Sequence, residues 1–339
     1  MEKSKTNGIK RLMSRPEAGI ILITLAFVAV FQLLNGEFLS DVNIFSILKT
    51  MSFYGIIAIG ETMLLCGGDI DISMGAVSGL GAILSTKIMK DTAAFGLMDT
   101  NAEWLGVIGA YIIAVIVCGV VGVISAVFVV KLKLPAFVAT IATQYAARGV
   151  VNIITNGIAV YPLPKWFGET LGQWQIKITP SGGFSLVFII LLVLVVVFEF
   201  MLKRTKYGRG VMAIGANIEV ARLMGIHVDR YRFANFILNA MLAGVSGILM
   251  AAFIKQGYPA IGQDIEMVII AGILLGGVSL SGGSGSMISM MFGMVLMYVI
   301  DTGLTMAGFD TFLQSVVKGV LLMIAVFVDR LRLNRKIKA

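Results

Sequence analysis

The chain has 339 residues, of which 58% are hydrophobic and only 14% are charged, and its mean hydropathy is +0.94. An ordinary soluble domain is roughly half apolar and about a quarter charged, so this composition excludes a soluble fold and favours a chain that uses the bilayer as its solvent. The net charge of +8 is compatible with nucleic acid or anionic lipid as a partner. The positions of the basic residues favour membrane orientation instead, and we expect no nucleic-acid partner.

Apolar windows recur along the whole chain. A helix that crosses the hydrocarbon layer needs about 20 mostly apolar residues. Such windows lie at 18–34, 51–66, 72–89, 105–130, 135–157, 184–202, 232–254, 264–279, 284–303 and 311–328. We therefore predict an all-α polytopic membrane protein with about ten transmembrane helices. Ten helices would divide into two halves of five, as in many transporters, although the residues themselves show no clear internal repeat.

The basic residues concentrate in alternate segments between these windows. If the N-terminus is cytoplasmic, the segments predicted inside, together with Arg232 at the edge of a span, contain nineteen of the 27 Lys and Arg residues. This asymmetry places both termini in the cytoplasm. It predicts a cytoplasmic segment 1–17, a transmembrane domain 18–328 that includes a basic cytoplasmic segment 203–231, and a cytoplasmic tail 329–339.

Residue types that carry catalysis or bind metals are scarce. The single histidine is His227, and both cysteines, Cys66 and Cys118, lie in apolar runs, where free thiols usually act as small hydrophobes. The pattern GxxxxGK[ST], which cradles nucleotide phosphates, does not occur in the sequence. We therefore expect no catalytic residue, no metal site and no bound cofactor, and a chain that cannot hydrolyse ATP by itself.

The first of three glycine-rich stretches, residues 66–75, contains two carboxylates between two predicted spans. Glycines let the backbone turn there. One interpretation is a loop packed inside the bundle, beside a translocation pathway or a partner subunit. The other is a capped turn in which an Asp or Ser side chain accepts from the first amides of the next helix. The residues alone favour neither interpretation. The candidate residues are Gly67, Gly68, Asp69, Asp71 and Ser73.

The second stretch, residues 275–286, has no lysine after its glycines. Close backbone packing with a flexible turn is therefore favoured over a nucleotide site. Its candidate residues are Gly276, Gly277, Ser279, Gly282 and Gly283.

The third stretch, residues 207–226, is too polar to span a membrane between Val211 and Ile226. Helical spacing of apolar residues predicts one short helix there, lying on the cytoplasmic face; these residues are Ile214, Ile218, Ala221 and Met224. Glu219 and Arg222 would dock a partner protein or rest on lipid headgroups. Periodicity does not separate the two interpretations.

Polar residues within the predicted spans are functional candidates, because charge is expensive to bury in hydrocarbon. Those that we expect to line a translocation pathway are Glu61, Gln144, Arg148, Asn152, Asn239 and Asp301. Hydrogen bonding between helices is the alternative for the uncharged ones, and a buried Glu61–Arg148 ion pair is an alternative for those two. Glu199 and Lys318 are expected to extend their charges toward the cytoplasmic interface.

The glycine-rich stretches resemble those of the ribose-type permeases of bacterial ABC sugar importers, within a wider group that also contains branched-chain amino-acid permeases. The family signature Gly-Gly-Ile-Asp-Leu-Ser-Val-Gly is similar to residues 67–75, which contain the additional acidic residue Asp69. The signature Gly-Gly-Thr-Ser-Leu-Ser-Gly-Gly is similar to residues 276–283, with Val278 in place of threonine. A further motif, Leu-Pro-x-Phe-Ile-Ala-Thr-Leu, is similar to residues 134–141. The resemblance covers about residues 20–330.

The family's cytoplasmic motif, Ala-Ile-Gly-x-Asn-x-x-Ala-Ala-Arg-Leu-x-Gly-Ile, is similar to residues 213–226, with Val220 where alanine is usual. In ABC importers this segment contains the coupling helix, which sits in a cleft of the ATPase subunit. The resemblance therefore favours docking over resting on lipid. It implies a coupling role for Gly215, Asn217, Glu219, Ala221, Arg222, Gly225 and Ile226.

The resemblance also implies a multi-pass subunit of the bacterial inner membrane, surrounded by lipid, with three kinds of protein partner. These are a second permease subunit, identical or paralogous; an ABC ATPase that holds ATP and Mg; and a periplasmic or lipid-anchored solute-binding protein. The implied solute is ribose or another monosaccharide, and a nucleoside, a sugar-like signal molecule or an amino acid stays open. A stand-alone proton-coupled transporter, with Glu61 or Asp301 as the proton carrier, is the alternative from another class.

Overall fold

The computed structural model describes residues 16–94 and 103–338, so that most of the predicted N-terminal segment 1–17 lies outside the described residues. In this part, twelve α-helices are found: α1 (Pro16–Leu34), α2 (Asp41–Cys66), α3 (Met74–Ala94), α4 (Glu103–Ala126), α5 (Ala136–Thr155), α6 (Leu186–Arg204), α7 (Lys206–Ala216), α8 (Ile218–Leu223), α9 (Val228–Ile254), α10 (Glu266–Gly276), α11 (Met287–Met306) and α12 (Thr311–Lys338). A π-helical turn, Val127–Lys131, continues α4, and a second one covers Phe167–Gln173.

Each of the ten apolar windows overlaps one helix of the structure. Among the described residues, six helices are long and apolar enough to cross a membrane: α2, α4, α6, α9, α11 and α12. Helices α1 and α10 are apolar but shorter, and α3 and α5 do not reach the same apolarity. The chain is therefore a polytopic helical membrane protein, whereas the count of ten spans and the side of the termini stay predictions.

Helix α9 is the centre of the bundle, because it packs along α2, α3 and α4. Small residues allow this close approach, as is usual between membrane helices. Gly247 of α9 lies directly against the backbone carbonyl of Ser78 in α3, and Gly81 of α3 lies against Gly244 of α9. On the other side of α2, α11 packs against α1, α2 and α10.

Between α5 and α6, the structure adds a short β-hairpin to the predicted all-α fold. Strands β1 (Gln175–Thr179) and β2 (Gly182–Ser185) form an antiparallel hairpin there. Its anchor is aromatic: the ring of Phe184 meets Phe45 of α2 edge-on and stacks on Phe188 of α6. β1 alternates polar and apolar residues over only five positions, and β2 has only four residues, so the hairpin gives a short signal in the sequence.

The last helix extends past residue 328, the predicted end of the last span, because α12 continues as one helix to Lys338. The basic tail is therefore the last turns of a helix, a position that cations favour because of the helix dipole.

Glycine at the α3–α9 contact gives a test of this packing. A Cβ at Gly247 would overlap the Ser78 carbonyl oxygen, whereas nothing lies within 4 Å of a Cβ at Gly109 in α4. We expect Gly247→Ala to destabilise the protein by about 1–3 kcal/mol, the usual cost of overpacking. Gly109→Ala should be neutral or stabilising by up to about 1 kcal/mol, because alanine favours helix. Thermal unfolding in detergent measures both, and equal melting temperatures would contradict the α3–α9 packing.

Candidate functional site

The three glycine-rich stretches, distant in sequence, meet at one point of the structure. The backbone N–H of Gly283 donates to the carbonyl oxygen of Cys66 at 2.9 Å. Gly215 of α7 lies between these two loops, where a Cβ would overlap both the Cys66 carbonyl oxygen and the Gly283 nitrogen. This contact of residues 66–68, 215–216 and 282–283 is named the glycine junction. It brings α7 into backbone contact with two loops of the bundle.

Glycine is required at the junction by backbone conformation as well as by space. Gly68, Gly282 and Gly283 have φ values of 83°, 79° and 70°, in the left-handed region that L side chains rarely adopt. A Cβ at Gly282 would stand 2.8 Å from the Cα of Gly215 and 3.0 Å from the Cα of Gly68. Gly68, Gly215 and Gly282 therefore meet backbone to backbone at the junction.

Helix α7 is also joined to α2 and α9 by side chains. The hydroxyl of Tyr207 donates to Asn235 Oδ1 at 2.6 Å, and the Asn235 amide donates to the carbonyl oxygen of Met63 at 3.2 Å. The ring of Tyr207 stacks on that of Tyr231, with centroids 5.1 Å apart. Burial raises the pKa of Tyr207 to about 12, so its hydroxyl keeps its proton and remains the donor. Nothing in the sequence indicated that Tyr207, Tyr231 and Asn235 join these helices.

The additional acidic residue Asp69 has a partner of its own. Arg232 at the start of α9 donates from Nε to Asp69 Oδ2 at 2.7 Å and from Nη2 to Oδ1 at 2.6 Å. The Asp69 side chain is buried and only 19% of the Arg232 side chain is exposed. This bidentate ion pair joins the 66–73 loop to α9. Each charge needs the other, because an unpaired buried charge is strongly destabilising.

The other carboxylate of this loop, Asp71, belongs to a fully buried polar cluster. Its Oδ1 accepts from the Ser73 N–H at 2.7 Å and from the Ser73 hydroxyl at 2.6 Å. The amide of Asn239 donates to both Asp71 Oδ2 and Glu61 Oε2 at 3.2 Å, and Glu61 Oε1 accepts from the Asp71 N–H at 3.1 Å. The loop is therefore packed inside the bundle and Asp71 caps its turn, whereas its place beside a pathway or a partner subunit stays a prediction.

The Glu61–Arg148 ion pair considered from the sequence is wrong. Glu61 is hydrogen-bonded to Asp71 and Asn239. Arg148 instead donates from Nη1 to the carbonyl oxygens of Pro259 and Ile261 at 2.8 and 3.0 Å. Glu61 therefore joins α2 to the 66–73 loop, and Arg148 joins α5 to the 255–265 loop.

Two further charges predicted to extend to the interface are instead paired inside the protein. Lys318 of α12 forms an ion pair with Asp301 of α11 at 2.5 Å. Glu199 of α6 accepts from the Met287 N–H at 2.7 Å and from the Ser286 hydroxyl at 3.0 Å. A carboxylate at the first amide of α11 is favoured by the helix dipole. Both residues thus join helices.

The predicted single helix from Val211 to Ile226 is in fact two helices, α7 and α8. Asn217 separates them: its backbone is extended, and its side-chain oxygen accepts from the N–H groups of Glu219 and Val220, both at 3.0 Å. Asparagine favours such caps because its side chain competes for backbone donors. Ile214 and Ala221 are buried on the predicted face.

Met224, which the spacing assigns to the same apolar face, is not buried with Ile214 and Ala221. Met224 is 73% exposed and Leu223 is 87% exposed, and half-exposed Val220 lies beside them on α8. Gly225, with a φ of 78°, ends the helical spacing directly after Met224. Helix α8 therefore presents an apolar surface, consisting of Val220, Leu223 and Met224, away from the bundle.

A cavity of about 1050 Å³ lies between α8 and the bundle. Its lining combines α8, the start of α9, the segment 129–136 and the Gly68–Asp69 turn. Charges alternate in it, with Arg222 3.5 Å from Glu219 and 3.9 Å from Asp229. The predicted coupling residues Glu219, Arg222 and Ile226 all line this cavity, whereas Gly215 belongs to the glycine junction.

A second cavity, of about 460 Å³, lies beside the later half of α5. Three of the six predicted pathway residues line it: Gln144, Arg148 and Asn152. Their spacing of four residues places them on one face of the helix. The other three, Glu61, Asn239 and Asp301, line neither this cavity nor the one at α8. Of the six predicted pathway residues, three therefore line a cavity and three do not.

Helices of this length and apolarity around polar cavities define a multi-pass membrane protein. The chain belongs to the family described as branched-chain amino acid transport system / permease component, whose model matches residues 43–326. It is 28% identical to an L-arabinose ABC transporter permease of Azospirillum brasilense, over 97% of this chain and 91% of that protein. It is 30% identical to a ribose import permease of Bacillus subtilis, over 89% of each chain. No solved structure matches the chain.

The Asp69–Arg232 pair is open to a double-mutant test. We expect Asp69→Asn or Arg232→Gln alone to cost about 3 kcal/mol or more, because either leaves a buried charge without its partner. The double variant should lose less than the sum of the two, as expected for residues in direct contact. Thermal unfolding in detergent measures the four proteins. Additive losses would show that the two side chains do not interact.

Proposed function

We propose that the chain is the membrane-spanning permease subunit of an ATP-driven importer of a monosaccharide in the bacterial inner membrane. A solute-binding protein would deliver the sugar from outside, a second permease subunit would complete the pathway, and a separate ATPase would hold ATP and Mg. Family membership supports the permease role. The relatives named for arabinose and ribose support a sugar as the solute.

The observation that carries this proposal is the geometry of α7 and α8. Leu223 and Met224 are exposed on a segment whose basic residues predict a cytoplasmic location. Exposed apolar residues that cluster on an aqueous face indicate a surface covered by a partner. A cleft of the ATPase is the occupant that we propose, with Glu219 and Arg222 flanking the apolar contact.

The same geometry supports coupling. A displacement of α8 by the ATPase would move α7, and the glycine junction passes that movement by backbone contact to residues 66–68 and 282–283. The first loop is joined to α9 by the Asp69–Arg232 pair. The second is held by Asp329 of α12, which accepts from the Leu280 N–H at 3.1 Å. Both loops lie between helices of the bundle, so ATPase movement would reach the pathway through them.

The proton-coupled alternative gains no support from its two candidate residues. Glu61 is fully buried and hydrogen-bonded to Asn239, and Asp301 is paired with Lys318. The choice of solute among monosaccharides, nucleosides, sugar-like signal molecules and amino acids would rest mainly with the binding protein.

A charge exchange on α8 tests the proposal. Glu219→Lys with Arg222→Glu keeps the net charge and allows the ion pair within α8 to form again, but inverts the surface that a partner meets. We expect the ATPase that co-purifies with the wild-type protein in mild detergent to be lost from this variant. The matched control is Lys87→Glu with Asp91→Lys on α3, an exposed pair 3.1 Å apart at the end predicted to face outside.

Mass spectrometry of the purified complexes reads the result. The control exchange should retain the ATPase at wild-type amount. If the wild-type protein purifies without any ATPase and takes up solute under a proton gradient alone, the ATP-driven importer is the wrong function for this chain.

A further inference from the structure

The cavity beside α5 lies at a different level of the bundle from the cavity at α8. Pro135 and Ala136, at the start of α5, line the cavity at α8, and Gln144 to Asn152 line the other. At 1.5 Å per residue, Gln144 is about 12 Å and Asn152 about 24 Å along the helix from Ala136. The second cavity therefore lies in the half of the bundle predicted to face outside, and its rim is formed by the loop 257–264.

The side chains that line this cavity are suited to a neutral solute rich in hydroxyl groups. Its amides and carboxylate, from Gln144, Asn152, Gln263 and Asp264, offer donors and acceptors at several points of the wall. Two tyrosine rings complete it: Tyr145 is 77% exposed and Tyr258 is 49% exposed. An aromatic ring provides a flat apolar surface for the C–H face of a sugar, and its hydroxyl adds a polar group.

The charge of the lining also favours a neutral solute. It contains one cation, Arg148, and one anion, Asp264. One nitrogen of the guanidinium is engaged, because Nη1 donates to two carbonyl oxygens of the rim. With one charge of each sign the lining carries no net charge, and its other polar groups are uncharged, which suits a neutral solute. The volume of about 460 Å³ lies within the range of small-molecule sites.

Two contacts hold the polar groups of the wall in place. The amide of Gln144 donates to the carboxylate of Glu266, the first residue of α10, which is buried. Arg148 binds the rim at Pro259 and Ile261. Glu266 thus orients Gln144 without lining the cavity itself, and is a positioning residue.

We propose that this cavity is a subsite of the permease that receives a neutral monosaccharide on the outer side, with Gln144, Asn152 and Gln263 as its hydrogen-bonding groups and Tyr145 and Tyr258 as its stacking surfaces. The proposal rests on the sugar-permease function above, and it adds that the permease itself contributes to the choice of solute.

Protection of a cysteine from labelling tests the subsite. Ala260→Cys and Gly157→Cys place thiols in the wall at residues that have no hydrogen-bonding or stacking role in the proposed subsite, while Cys66 and Cys118 are buried. In right-side-out membrane vesicles, an impermeant maleimide should label both new thiols. We expect D-ribose, D-xylose or L-arabinose at millimolar concentration to slow this labelling at least about threefold, and L-leucine to leave it unchanged. The control is Ile178→Cys, on the exposed β1, whose labelling no sugar should alter.

Three results would overturn the subsite: no pentose protects either thiol, L-leucine protects as well as the sugars, or Ile178→Cys is labelled while both cavity thiols are inaccessible. The ATPase co-purification separates these outcomes from a failure of the importer. An ATPase partner without sugar protection removes the subsite alone. Sugar protection without an ATPase partner keeps the subsite and removes ATP-driven import.

Glu266→Gln distinguishes positioning from folding. Because an amide in place of the carboxylate weakens the contact that orients Gln144, the pentose concentration that gives half-protection should rise by about fivefold, the effect of one weakened hydrogen bond. The melting temperature and the rate of labelling without sugar should stay near those of the parent cysteine variant. An unchanged half-protecting concentration would show that Glu266 does not position Gln144.

Discussion

The architecture on the side of α8 depends on one backbone contact, the glycine junction. The Cys66 carbonyl and the Gly283 amide meet at 2.9 Å with Gly215 pressed against both. Each loop is then fixed elsewhere by a buried carboxylate, Asp69 on Arg232 and Asp329 on the Leu280 amide. Backbone contacts without intervening side chains transmit displacement with little loss, because no rotamer can adjust to absorb it. A surface segment is thereby joined to the interior of a membrane bundle.

Helix α5 borders two polar cavities of the bundle and carries several polar residues. It borders the cavity near α8 at its start and the second cavity along its later half. Helix α5 is long enough to span the membrane. Because of its polar stripe of Gln144, Arg148 and Asn152, it is not apolar enough to count as a span by composition. In the membrane such residues face the protein interior or water. The two cavities and α5 mark the course of the proposed pathway.

The sequence predicted the helices well, because apolar windows are the direct requirement of the bilayer. It failed where the signal is short or local: the hairpin at 175–185 has strands of only five and four residues, and Asn217 splits a helix that periodicity joined. It identified the three glycine-rich stretches but not their meeting, since nothing in spacing tells which distant backbones touch. The partners of the charged residues could not be predicted from the sequence either. An ion pair of Arg148 with Glu61 was one interpretation of the sequence, yet Arg148 binds carbonyl groups, which carry no sequence signal.

The central claim is that the apolar surface of α8 is covered by an ATPase. A photoreactive benzoylphenylalanine in place of Leu223 tests it most directly in native membranes, with the same substitution at Phe312, an exposed residue of α12, as the reference. Irradiation should join the Leu223 variant to a nucleotide-binding subunit identified by mass spectrometry, and the Phe312 variant should give no such adduct. If the Leu223 variant reacts with lipid alone, α8 rests on the membrane surface and the account of coupling is wrong.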